Sequence, residues 1–236
     1  PTHNIDRLAR EGMRFTDAHA PASFCVPTRY GLLTGRYPHR IKLNWRNSAL
    51  IEKKRTTVPS ALREKGYATA MVGKWHLGFN DGPNYDYSKP LAGGPVDRGF
   101  DSYFGIPHSL DIVPYYYINN AKAVQAPTGE IGPSNTEGWS RIQGEFWRGG
   151  PIAPGFRHDE VLPHFTAESV KYLKRRRGKA QPSFLYVALP APVTPGLPAQ
   201  EFHKPTNYLH GYFGATRGAG VGYILPFADQ IEPAKT

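Results

Sequence analysis

The chain has 236 residues, 39% of them hydrophobic, enough for one sizeable packed domain or two small ones. Its 29 Lys and Arg against 19 Asp and Glu give a formal charge of +10, which favours anionic partners without choosing among sulfated polymers, phosphorylated polymers and nucleic acid. A single cysteine excludes an internal disulfide framework, and no apolar run reaches the roughly 18 residues that a membrane span requires, so none is expected.

In chain order, Asn4 can cap a short helix with Ile5, Leu8 and Ala9 on one face, and Gly12 can stop it before "MRFTDAH", whose alternation predicts a strand over 13–19. The chain begins inside this helical pattern without an initiator methionine, so it is expected to be a piece of a longer protein. Pro27 fits the first turn of a second helix carrying Arg29, Leu32 and Leu33, with Gly35 near its end. Thr57 caps a third helix, with Pro59 in the first turn and Val58, Ala61 and Leu62 as its apolar face. Gly66 ends that helix, and a strand is predicted from Tyr67 to Val72.

Residues 79–158 show no sustained period and read as loops and short elements near the mouth of a site, packed through Tyr85, Tyr87, Phe100, Tyr103, Phe104, Tyr115, Tyr116 and Tyr117. A helix over "TAESVKYLKRRRGK" then leads into "FLYVAL", an uninterrupted apolar run that predicts a strand buried on both faces. The basic run "KYLKRRRGK" closes the helical pattern, where cations meet the negative end of the helix dipole, so no nucleic-acid partner is expected from it. Helices alternating with buried strands predict an α/β sheet layered by helices.

The lone cysteine, Cys25, falls at or just before the N-terminus of the second helix, where thiolates and anions are stabilised. On the residues alone the first reading of it is a small buried hydrophobe, the usual state of a free cysteine. Its surroundings are more specific. "CVPTR" with "YGLLTGR" resembles the Cys-x-Pro-x-Arg signature of the sulfatases, and "GYATAMVGKWHLG" resembles their second signature, in the same order along the chain. "NIDRLAREGMRFTDAHA", "DRGFDSYFGIPHSLDIVPYYYINN" and "FLYVALPAPVTP" look like segments of bacterial arylsulfatase-type enzymes, so the resemblance covers roughly residues 1–202.

The resemblance implies an alkaline-phosphatase-like sandwich, a mixed, mostly parallel sheet between helices, incomplete at both ends. Residues 1–202 would be a partial catalytic domain and 203–236 a divergent C-terminal segment. It also implies hydrolysis of sulfate monoesters, on a sulfated small molecule or polysaccharide. In that family the motif cysteine is oxidised to formylglycine by a formylglycine-generating enzyme that reads Pro27 and Arg29, and the hydrated aldehyde supplies the attacking oxygen. Residue by residue, Cys25, Arg29, Lys74 and His76 would be catalytic. Lys74 and Ser109 would bind the sulfate, and the oxygen derived from Cys25 would be one ligand of a calcium ion. Export or a periplasmic location is the option for a full-length form; the compartment is otherwise left open.

Two departures stand out. The aspartate pair and the Asp-Asn or Asp-Gln pair that hold the family's calcium are not in this chain, and Asp17, Asp97 and Asp101 do not occupy the matching motif positions. In "PAPVTP", position 193 is Val where relatives carry a histidine that assists the leaving group, with His203 nearby in sequence. Two other functions therefore stand beside the sulfatase reading: a non-catalytic relative that binds sulfated glycans, and a phosphate or phosphonate ester hydrolase. This isolated chain is expected to be impaired or inactive.

Overall fold

Strand β1 (Ala68–Lys74) lies second from one edge of a five-stranded sheet. The structure is a computed structural model that describes residues 3–42, 48–82, 84–135 and 146–190. Parallel partners flank β1 on both sides: β2 (Ser102–Ile106), with Ala70 opposite Ser102 and Lys74 opposite Ile106, and β9 (Ser183–Ala188), with Ala68 opposite Ser183. The short strands β3 (Ile118–Asn119) and β4 (Lys122–Ala123) extend the sheet antiparallel beyond β2, giving the order β4-β3-β2-β1-β9. The sheet is therefore mixed, as expected. Two small hairpins lie outside it, β5 (Gly129–Ile131) with β8 (Gly150–Ile152), and β6 (Ser134–Asn135) with β7 (Phe146–Trp147).

Helices cover both faces. Successive strand side chains point to opposite sides, and in β2 Phe104 meets Phe165 of α4 (Val161–Arg176), while Tyr103 lies on the side of Arg29 in α2 (Cys25–Thr34). Helix α3 (Val58–Glu64) starts with a reciprocal cap, in which the Thr57 hydroxyl accepts from Ser60 N at 3.2 Å and the Ser60 hydroxyl accepts from Thr57 N at 2.9 Å. That arrangement satisfies two donors that a helix start leaves open. The core gathers Val26, Tyr30 and Leu33 of α2 with Met71, Val72, Trp75, Phe100, Tyr103, Val161 and Phe165.

Two glycines fix the strand spacing beside the site. A Cβ at Gly73 would collide with the Ala188 carbonyl of β9, and one at Gly105 with the Gly73 carbonyl. Gly73 also takes φ +125, a backbone that L side chains avoid.

Four expectations need correction. Residues 13–19 form no strand: they are bends and coil, exposed to solvent, because no neighbouring strand among the described residues offers them a ladder. The segment 79–158 holds β2, a central strand, which five residues containing a glycine and two aromatics did not announce. Helix α4 begins at Val161, one turn before the predicted start, with Pro163 tolerated in its first turn. Strand β9 is less buried than its apolar run implies, with Val187 40% exposed, because it pairs on one side only among the described residues. The segments carrying Val193, His203 and the divergent 203–236 lie outside the described residues.

Candidate active site

The carboxyl ends of β1 and β2 form the floor of the site, the place where parallel sheets present ligands. Helix α2 sets the first wall. Phe24 is its extended N-cap and offers no side-chain cap, and Pro27 sits in the first turn, where its missing N–H costs nothing. Thr28 Oγ1 donates to Ala22 O at 2.6 Å, which ties that first turn to the preceding segment. With Val26, Tyr30 and Leu33 buried, the remaining face carries Cys25 and, one turn on, Arg29 toward the end of β1. Gly35 closes the helix in the left-handed conformation, its N–H bonded to Gly31 O.

Lys74, the last residue of β1, is 1% exposed. Its ammonium donates to Cys25 Sγ at 3.2 Å and to Ser109 Oγ, while Arg29 Nη1 donates to the Lys74 carbonyl. Beyond the strand ends the two loops stay in register, with Trp75 N bonded to Ile106 O at 3.0 Å and His76 N to Pro107 O at 2.9 Å. The Trp75 indole donates to Gly78 O at 2.9 Å and closes the turn. His76, 4% exposed, holds φ +57, a left-handed backbone rare for a residue with a side chain.

Five residues singled out in the sequence thus come together. Cys25, Arg29, Lys74 and Ser109 are joined by direct contacts, and His76 lies two residues past Lys74 within its electrostatic reach. Burial first, then Lys74, His108 and Arg29, push the His76 pKa down to about 2. Burial and then Lys74 push His108 down to about 4. The Lys74 pKa is lowered mainly by burial and by Arg29, with Cys25 pulling the other way. Two neutral imidazoles therefore stand beside the buried Lys74 ammonium and the half-buried Arg29 guanidinium. A bound anion would offset the cost of burying that ammonium, and a neutral imidazole beside it can accept a proton.

His108 was missed in the sequence, although it stands inside the quoted "GIPHSLD". Its ring lies edge-on to His76 with centroids 6.0 Å apart. Asp111 was also missed. Three aspartates set aside earlier are elsewhere: Asp17 pairs with His19, Asp97 accepts from Gly93 N, and Asp101 accepts from Thr69 N at the opposite end of β1.

The expected calcium does not fit the described residues. None of them form a group of three or more His, Cys, Asp or Glu placed to hold a metal ion, and the nearest neighbours of Cys25 include the Lys74 ammonium. Hard divalent cations need several oxygen ligands.

The sulfatase family model matches residues 1–213. The chain belongs to the sulfatase family. It is 29% identical to an N-acetylgalactosamine-6-O-sulfatase of Bacteroides thetaiotaomicron, an alignment that covers 93% of this chain and 46% of that protein. It is 34% identical to human arylsulfatase G over 82% of this chain and 38% of the relative. A solved Bacteroides thetaiotaomicron structure, BT33336S-sulf, described with the metabolism of multiple glycosaminoglycans, superimposes with a TM-score of 0.67 at 28% identity, covering 85% of this chain and 48% of that one. This sulfatase chain thus spans less than half the length of each of these relatives. The mixed sheet with helices on both faces agrees with the fold of that structural relative.

Proposed function

We propose that the sulfatase to which this chain contributes hydrolyses sulfate monoesters, and that Cys25, converted to formylglycine, is the site of attack. The observation that carries this reading is the buried Lys74 ammonium, which bridges Cys25 Sγ and Ser109 Oγ under Arg29. The hydrated formylglycine, once formed by a formylglycine-generating enzyme, supplies an oxygen nucleophile at position 25. The roles around that oxygen fall to four side chains of this cluster. Lys74 and Ser109 hold the sulfate oxygens, so that sulfur sits beside position 25 and negative charge developing in the transition state meets a fixed cation. Arg29 keeps Lys74 in place through its carbonyl and adds a second positive charge. His76, held neutral by burial and by the neighbouring cations, accepts a proton from position 25. No step is routed through calcium, which the described residues do not furnish.

The substrate class favoured is a sulfated saccharide, supported by the names of the relatives and by the basic composition of the chain. The test is co-expression with a formylglycine-generating enzyme, then mass spectrometry of the peptide containing Cys25. The expected result is the aldehyde. Unmodified thiol, under conditions that convert a control sulfatase, would remove the proposed nucleophile. The isolated chain should show little turnover of aryl sulfates, and robust hydrolysis abolished by Cys25→Ala would show that it holds a complete site.

A further inference from the structure

We propose that Arg148 is a positioning residue for the Lys74–Ser109 clamp, acting through Asp111. This inference rests on the reading of that pair as the sulfate clamp. Ser109 lies in the loop after β2 and opens a turn in which Ile112 N bonds Ser109 O at 3.0 Å. A hydroxyl on a loop can orient a buried ammonium only if the loop is itself held. The hold comes from Arg148, just past β7. One nitrogen, Nη1, donates both to the Asp111 carboxylate at 2.6 Å and to the Asp111 carbonyl at 2.8 Å.

Arg148 is fixed in turn. Its carbonyl accepts from the Tyr115 hydroxyl at 2.9 Å, and its guanidinium lies 5.5 Å from the centre of the Phe146 ring. Tyr115 is bracketed by Pro151 and Ala153, with Tyr115 N bonded to Pro151 O and Ala153 N to Tyr115 O. The Asp111 side chain is 18% exposed and that of Arg148 51%, so the carboxylate end of this ion pair is shielded from solvent while the guanidinium end is open. A connected path therefore runs from Arg148 through Asp111 and Ser109 to Lys74 and Cys25. The Asp111 carboxylate also pulls the Lys74 pKa upward, which places it within electrostatic reach of the clamp.

The sole cysteine makes the clamp readable in the full chain without turnover. The rate of Cys25 alkylation by iodoacetate, divided by the rate with neutral iodoacetamide, reports how firmly Lys74 and Arg29 face the thiol. At fixed pH and about 0.5 M salt, long-range charge is screened. Positioning requires that Arg148→Ala and Asp111→Asn both lower this ratio by about threefold, as Ser109→Ala should, because each loosens the Lys74 ammonium from its place beside the thiol. Adding Ser109→Ala to Arg148→Ala should change nothing further, since the two act along one path.

Arg148→Lys should keep the wild-type ratio, because among the described residues the polar contacts of the side chain come from one nitrogen. A pure field effect predicts opposite signs, Arg148→Ala lowering the ratio and Asp111→Asn raising it, and that result overturns the proposal. So does an unchanged ratio in both, or full additivity with Ser109→Ala. If Arg148→Ala fails to fold, as near-ultraviolet circular dichroism would show, the isosteric Asp111→Asn carries the same test. Absence of sulfatase turnover in a completed enzyme would sink the functional reading and leave this ratio untouched, so the two failures are distinguishable.

Discussion

Helices α1 (His3–Glu11) and α2 carry apolar residues at helical spacing within the same 34-residue stretch, and they end in opposite environments. In α2, Val26, Tyr30 and Leu33 are 4%, 0% and 3% exposed. In α1, Ile5 and Leu8 are 66% and 68% exposed, and Met13 and Phe15 just beyond are more open still. Periodicity selects the conformation in both cases, and burial is decided by what lies opposite. Helix α2 has β1 and α3 to pack on, whereas α1 buries nothing among the described residues. The difference teaches that an amphipathic pattern predicts a helix more safely than it predicts a contact.

The sharpest way to break that comparison is at the buried charge that α2 faces. In an enzyme completed with the remaining parts of a close relative, Lys74→Met should reduce aryl sulfate turnover by about 10²–10³-fold, as expected for removing a preorganised charge from a reacting anion. The same substitution should leave the melting temperature of this chain unchanged or raised, because an ammonium held at 1% exposure is costly to bury. A large loss of stability with little loss of turnover would make Lys74 a structural residue.

Acid sharpens the contrast next. In the folded chain His76 has its pKa near 2, against an ordinary 6.5. Between those values the unfolded chain binds a proton that the folded one refuses. The stability it contributes is full above pH 6.5 and is lost as pH falls toward 2, at up to ~1.4 kcal/mol per pH unit. His108, near 4, adds a second slope between pH 6.5 and 4. Urea midpoints measured from pH 7 to pH 4 should fall accordingly, and His76→Gln should flatten the slope. An unchanged slope in His76→Gln would mean that the ring is protonated in the folded chain.

The smallest effect belongs to α1. Ile5→Ser with Leu8→Ser should move the unfolding free energy of this chain by less than about 0.5 kcal/mol, as surface changes do, whereas Leu33→Ala should cost about 2–5 kcal/mol. A loss of more than 1 kcal/mol from the α1 pair would show that this face packs in solution.

Much of the scaffold could be read from local chemistry. The Thr57 cap, Gly35 and Gly66 punctuate their helices where the sequence places them, and two signature stretches bring Cys25, Arg29, Lys74 and His76 to one end of the sheet, where Ser109 of "GIPHSLD" joins them. What escaped depends on tertiary pairing. Strand β2 is stabilised by its register with β1 more than by any pattern in "SYFGI". His108 went unnoticed because its neighbour, the His76 ring, is 32 positions away. Arg148 and Asp111 are 37 positions apart and meet only because the small hairpins fold back on the loop after β2. The strand expected over 13–19 failed for the converse reason: its alternation is real, and no described strand accepts it.

The left-handed backbone of His76 carries a consequence for sequence drift. A φ of +57 on a side chain of this size costs of order 1 kcal/mol or more, and Gly or Asn would relieve much of it. A library varied at position 76 and selected for heat resistance alone should therefore enrich Gly and Asn, while a library selected for turnover in a completed enzyme should return His. The two selections would pull one codon in opposite directions, and a gene freed from the need to hydrolyse its substrate would be expected to lose this imidazole early.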